Sequence, residues 1–202
     1  MSLAATKSRV RLRADERRQQ IVDAAFEALA ERGFEGFRTR DIADRLGINS
    51  ATLHHHSPTK DDLISAVADE LMRRFQTEKA PSPSQPLSAI AAFEHQFADA
   101  IHYRTRRPML LAVYREFVAR ADRDPQIAAL VERLNETWRA DIRQMLDQAA
   151  REEALRPGID RETLSRLLLH AIWGLASAPG PADAHHLVEA CRQLRSLLFA
   201  SR

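Results

Sequence analysis

Arg38–Lys60 reads RTRDIADRLGINSATLHHHSPTK. Ile42, Ala43 and Leu46 fall at the three-and-four spacing of one helix face, and Gly47 stops that short helix with a residue that tolerates a left-handed turn. Asn49 is a good N-cap for a second short helix through about His56, with Ala51 and Leu53 near its core side. Ala43 is small where the two helices cross, and Ile48 plugs the gap between them. Two short helices joined by a tight glycine turn form the helix-turn-helix arrangement, which presents its second helix to the DNA major groove. The other face of that helix shows Ser50, Thr52, His54 and His55. So polar a short helix is not driven by its own burial, and its exposed face needs another purpose.

Working outward, Ile21, Val22, Ala25, Phe26 and Leu29 form the stripe of a longer helix from Asp15 to Arg32, closed by Gly33. Pro58 ends the second short helix. Thr59 then caps a fourth, with Leu63, Ile64, Val67, Leu71 and Phe75 along one face. Residues 80–87, APSPSQPL, have linker composition. Five further helices follow: about Ser88–Arg106, Pro108 to about Arg120, one between Pro125 and Pro157, Asp160 (as N-cap) to about Ser177, and about Ala182–Ala200 after Pro179-Gly180-Pro181. Nowhere do β-branched residues alternate with polar ones. The expectation is an all-α chain of about nine helices: a basic arm over 1–13, a DNA-binding unit over 14–79, a linker over 80–87 and a regulatory and dimerisation unit over 88–202.

Composition excludes several classes. No apolar run among the 202 residues approaches the roughly 18 that a membrane span needs, and the first residues lack the apolar segment of a signal peptide. A single cysteine, Cys191, makes no internal disulfide, which suits a reducing cytoplasmic compartment. The net charge of +2 averages a lopsided chain: residues 1–60 carry 11 Lys/Arg against 8 Asp/Glu, and the remaining 142 carry 19 against 20. Lys7, Arg9, Arg11 and Arg13, with no acid among them, suit a polyanion. No phosphate loop, nucleophile elbow, cysteine pair or HExxH occurs, so neither an enzyme nor a cofactor is expected. Consecutive histidines on a helix point about 100° apart and cannot share one tetrahedral site, so no metal is expected at His54–His56 or His185-His186. A helical scaffold that binds protein alone leaves the pattern of residues 17–64 unexplained.

That pattern resembles the DNA-binding domain of the tetracycline-repressor family of bacterial transcription regulators. The likeness runs through Ile21, Ala24-Ala25, Glu31-Arg32-Gly33-Phe34, Arg40-Asp41-Ile42-Ala43, Gly47, Thr52-Leu53, His56, Pro58, Lys60 and Leu63. It implies a cytoplasmic, nucleoid-associated bacterial repressor bound to double-stranded operator DNA. By resemblance, Asn49 caps the recognition helix and meets phosphate, Ser50, Ala51 and Thr52 reach base edges, and His55 projects into the groove. His54 stands where the family usually has a tyrosine on the DNA backbone. Lys60, Arg38 and Arg40 are phosphate partners. Two positions depart from the pattern. Ser57 replaces an aromatic or apolar residue, which predicts weaker packing of the recognition helix. Arg38 stands where a hydroxyl residue often caps the second helix, leaving Thr39 as the candidate cap. His56 reads as a structural histidine.

One recognition helix covers few base pairs, so a palindrome read by a homodimer is expected. Leu164, Leu167, Leu168, Ala171, Ile172 and Leu175 on one helix, and Leu187, Cys191, Leu194 and Leu198 on the next, suit a four-helix interface, or else close the monomer core. The helices between would enclose a small-molecule effector, hydrophobic or aromatic in character. Phe93, Phe97, Tyr103, Met109, Phe117, Trp138 and His170 are the candidate lining, although periodicity does not separate lining from core.

Overall fold

The structure, a computed structural model, describes residues 3–179 and 184–200. Among them nine helices occur: α1 (Leu3–Arg32), α2 (Thr39–Arg45), α3 (Ser50–His56), α4 (Lys60–Thr77), α5 (Ala89–Arg106), α6 (Pro108–Ala121), α7 (Pro125–Arg151), α8 (Arg161–Ser177) and α9 (His185–Leu198). The stretch expected as a basic arm is, from Leu3, continuous with α1, in keeping with a sequence free of Gly and Pro up to Gly33. The side chains of Lys7, Arg9, Arg11 and Arg13, and the expected helix start at Ala182, lie outside the described residues.

Local chemistry sets the ends of the short helices. Gly33 and Gly47 adopt φ of 63° and 62°, the left-handed conformation that favours glycine. The Asn49 side-chain oxygen accepts the Thr52 backbone N–H at 2.7 Å, capping α3. Thr59 and Asp62 cap α4 reciprocally: the Thr59 hydroxyl oxygen accepts the Asp62 N–H at 3.0 Å, and the Asp62 carboxylate accepts the Thr59 N–H at 3.0 Å. The cap expected of Thr39 does not form. Thr39 is already the first helical residue of α2, and Arg38 occupies the N-cap position without a side-chain bond.

The chain divides into two compact units at Arg74/Phe75, inside the last turns of α4 and ahead of the proline-rich stretch. In the first unit, Ile21, Ala25, Phe26 and Leu29 of α1 are buried together with Phe37, Ile42, Leu53, Leu63 and Leu71. In the second, Phe75 enters an aromatic cluster. Its ring stands edge-on to Tyr103, Trp138 and Trp173 at 4.9–5.0 Å, and its carbonyl accepts the Tyr103 hydroxyl at 2.5 Å. That is why the division precedes residues 80–87. α7 stops at Arg151, short of Pro157, because the chain turns at Glu153 (φ 54°) and runs Leu155 antiparallel to Phe199. The Ala200 N–H then bonds the Ala154 carbonyl at 2.9 Å.

Candidate nucleic-acid interface and ligand cavity

Within the first unit α3 is anchored by Leu53, which is 1% exposed. Ser50, Ala51, His54 and His55 are exposed on its remaining surface, with Asn49 and Lys60 exposed at its two ends and Arg38 and Arg40 exposed at the start of α2. Thr52 is half-buried, and its hydroxyl donates to the Asn49 side-chain oxygen at 2.9 Å. That oxygen is therefore occupied twice, and only the amide N–H groups of Asn49 remain for a phosphate. His54 Nδ1 lies 3.2 Å from the Pro58 carbonyl, so that nitrogen carries the proton and Nε2 is the one left outward. Lys60 extends over the Phe37 ring at 5.5 Å. Arg40 stays 87% exposed, with only a 3.9 Å approach to Asp44. After α3, Ser57 is buried, and its N–H donates to the Leu53 carbonyl at 2.9 Å. Burial, with His55, Arg17 and Arg18 nearby, pushes His56 below the usual imidazole range.

Sequence reasoning missed what aims α2. Arg45 pairs with Glu31 at 2.6 Å and Glu27 at 3.4 Å, and Arg32 pairs with Asp41 at 2.6 Å, so two arginines bind α2 to α1. The Arg45 guanidinium holds Glu31 below the usual carboxylate range. These partners lie on different helices, at no spacing that a sequence marks.

In the second unit a cavity of about 310 Å³ opens between α6, α7 and α8. Its wall is Tyr114, Arg115, Val118 and Ala119 of α6, Asn135 of α7, and Leu169, His170, Trp173, Gly174 and Ser177 of α8. Of the seven expected lining residues only His170 stands here. Tyr103 and Trp138 border a much smaller space of about 20 Å³, room for about one water. Phe93, Phe97 and Phe117 are buried in the core, and Met109 is 42% exposed; none of the four lines either space. The carbonyls at the end of α8 are well satisfied. Leu175 bonds His186 at 3.0 Å, Ala176 accepts from Arg104 at 2.9 Å, and Ser177 accepts from Arg115 at 3.4 Å.

The stripes on α8 and α9 divide between inside and outside. Leu168, Ile172, Leu187 and Leu198 are buried within the second unit, so these four close its own core. Leu164, Leu175, Cys191 and Leu194 are half-buried. The large apolar side chains left exposed are Leu167 (62%), Val188 (55%) and Leu197 (64%), of which the last two escaped the sequence pattern. Burial pushes the Cys191 thiol up to about 11, which disfavours the nucleophilic thiolate at neutral pH. Among the described residues no helix is long and apolar enough to cross a membrane.

Comparison with known proteins joins these features. Residues 21–67 match the model of the tetR family of bacterial regulatory proteins, and residues 90–198 match that of the C-terminal region of the BetI-type transcriptional repressor. The transcriptional repressor KstR2 of Mycobacterium tuberculosis is 26% identical over 172 residues, 82% of each chain. The transcriptional regulator UidR of Escherichia coli is 24% identical over 185 residues, 90% of each chain. The structure of Salmonella enterica GusR aligns with a TM-score of 0.73 at 25% identity, covering 89% of this chain and 92% of that one. With its helix-turn-helix inside one matching segment and its regulatory helices inside the other, the chain belongs to the TetR family of transcriptional regulators, which bind DNA and are not enzymes.

Proposed function

We propose that the chain represses transcription from the bacterial nucleoid by binding a palindromic operator as a homodimer, and that an apolar or aromatic molecule in the α6–α7–α8 cavity releases it. The observation that carries the DNA half is the exposed face of α3: Ser50, Ala51 and His55 stand clear while Leu53 is buried, and Arg38, Arg40 and Lys60 are exposed near its ends. Small hydroxyl and methyl groups read base edges, and the cations fix register on phosphates. The effector half is supported by a chain of packing. Trp173 lines the cavity and stands edge-on to Phe75 at 5.0 Å, and Phe75 lies on the same helix, α4, as Lys60. A ligand that repositions Trp173 therefore acts on α4 and, through it, on operator affinity.

The test is a mobility shift with DNA upstream of the protein's own and neighbouring genes, repeated at rising salt. Affinity falls steeply with salt, and Lys60→Ala lowers the slope by about one while leaving sequence preference unchanged. No shift with any genomic fragment overturns the proposal.

A further inference from the structure

We infer that the α6–α7–α8 cavity is built for an aromatic monocarboxylate, its flat body against Tyr114 and Trp173 and its carboxylate on Arg115 and Ser177. This rests on the assignment above of the cavity as the effector site and names the chemistry it selects.

The lining contains one permanent cation, Arg115, and no Asp or Glu. Arg115 is exposed and forms no ion pair among the described residues. Its bond to the Ser177 carbonyl, at 3.4 Å, is long enough to yield to a carboxylate. Among the described residues the Ser177 hydroxyl is buried without a hydrogen-bond partner, an unfavourable state that a ligand oxygen relieves. Asn135 adds to this set. Its side-chain oxygen takes the Tyr114 hydroxyl at 3.4 Å, which leaves its two amide N–H donors for a ligand. Unused donors thus gather in a wall that is otherwise apolar, and a carboxylate supplies only acceptors.

The body of the ligand follows from the rings and the size. Tyr114 and Trp173 lie 5.3 Å apart at 49°, offering faces and edges to a flat group. A volume of about 310 Å³ stands at the low end of small-molecule sites, which suits one or two fused rings rather than a long chain. Gly174 keeps the wall open, since a Cβ built there meets nothing within 4 Å.

The test uses the full-length protein and two probes of one shape, 2-naphthoate and 2-naphthamide, measured by titration calorimetry. The carboxylate binds roughly tenfold or more tightly than the amide, and Arg115→Gln abolishes that preference by weakening the carboxylate far more than the amide. Gly174→Phe, which projects a ring into the cavity, abolishes binding of both. Equal affinities in the wild type, a preference that survives Arg115→Gln, or no binding of either probe overturns the inference. Mobility shifts separate it from the effector assignment. Arg115-dependent binding of 2-naphthoate with operator affinity unchanged upholds the carboxylate site and overturns the effector role. Operator release by 2-naphthamide, blocked by Gly174→Phe and with no preference for the carboxylate, upholds the effector role and overturns the inference.

Discussion

Glu70 is 5% exposed on α4, and its carboxylate accepts from both Arg73 and Arg74 at 2.6–2.8 Å. Burial works to raise its pKa, but hydrogen bonds from Arg73, Arg74 and Gln19 outweigh it and hold the carboxyl down to about 2. Arg74 carries the network to Asp23 of α1 at 2.5 Å and covers the Phe26 ring at 4.2 Å. The folded-state pKa lies below the ordinary value of 4.5, so the stabilisation is complete above about pH 4.5 and is lost as pH falls toward 2. Glu70→Gln is expected to lower stability at neutral pH by about 2 kcal/mol and to lose the part of the acid sensitivity that belongs to this carboxyl. Urea unfolding at pH 7 and pH 3 checks both. If the variant and the wild type lose the same stability between those two pH values, the network is not the cause. The spacing Glu70, Arg73, Arg74 is visible in the sequence, but as an ordinary solvated face of α4. Only the packing of α4 on α1 removes the carboxylate from water.

At the scale of the element, α3 has seven residues and one buried anchor, so its ends matter more than its interior. Asn49 caps α3 and is proposed to contact phosphate, and two substitutions separate the cap from the proposed contact. Asn49→Ala removes the acceptor of the Thr52 N–H and is expected to cost about 1 kcal/mol of stability as well as DNA affinity. Asn49→Asp keeps the cap and stability but places a negative charge beside phosphates, so DNA affinity alone falls. Thermal unfolding and mobility shifts on the two variants decide; equal stability of Ala and Asp variants removes the capping role. In α8, Gly174→Ala meets open space within a helix and is expected to stabilise by up to about 1 kcal/mol, measured by urea unfolding. The elements themselves were legible. Stripes and caps marked α2 to α8, because burial on one face and the chemistry of Asn49, Thr59 and Asp160 are written locally. The cavity was not. Phe93, Phe97 and Phe117 repeat at helical spacing whether they border a void or fill a core, and here they fill it. The wall instead uses Arg115, Asn135, Gly174 and Ser177, residue types that a hydrophobic pattern assigns to solvent.

For the whole molecule, the proposed homodimer turns on the number of recognition helices that reach one DNA. Leu167 on α8 and Val188 and Leu197 on α9 are exposed, against the usual tendency of such side chains, while Leu168, Ile172, Leu187 and Leu198 of the same two helices are already buried. Leu164, Leu175, Cys191 and Leu194 lie half-buried between them, so one face of each helix stabilises the unit and another is available to a second copy. The two faces predict opposite phenotypes. Leu167→Glu combined with Leu197→Glu changes only exposed positions, so the monomer's own stability shifts by no more than about 0.5 kcal/mol per substitution. Self-association is lost, and operator affinity falls on the order of 100-fold, because the second half-site is no longer held at high effective concentration. Leu187→Ala, at a fully buried position, instead lowers stability by about 2–5 kcal/mol. Light scattering on a sizing column, thermal unfolding and mobility shifts distinguish them. A double variant that remains dimeric and binds DNA at full strength would place the dimer contact elsewhere, because glutamates at Leu167 and Leu197 cannot be buried against a second copy without a large desolvation cost.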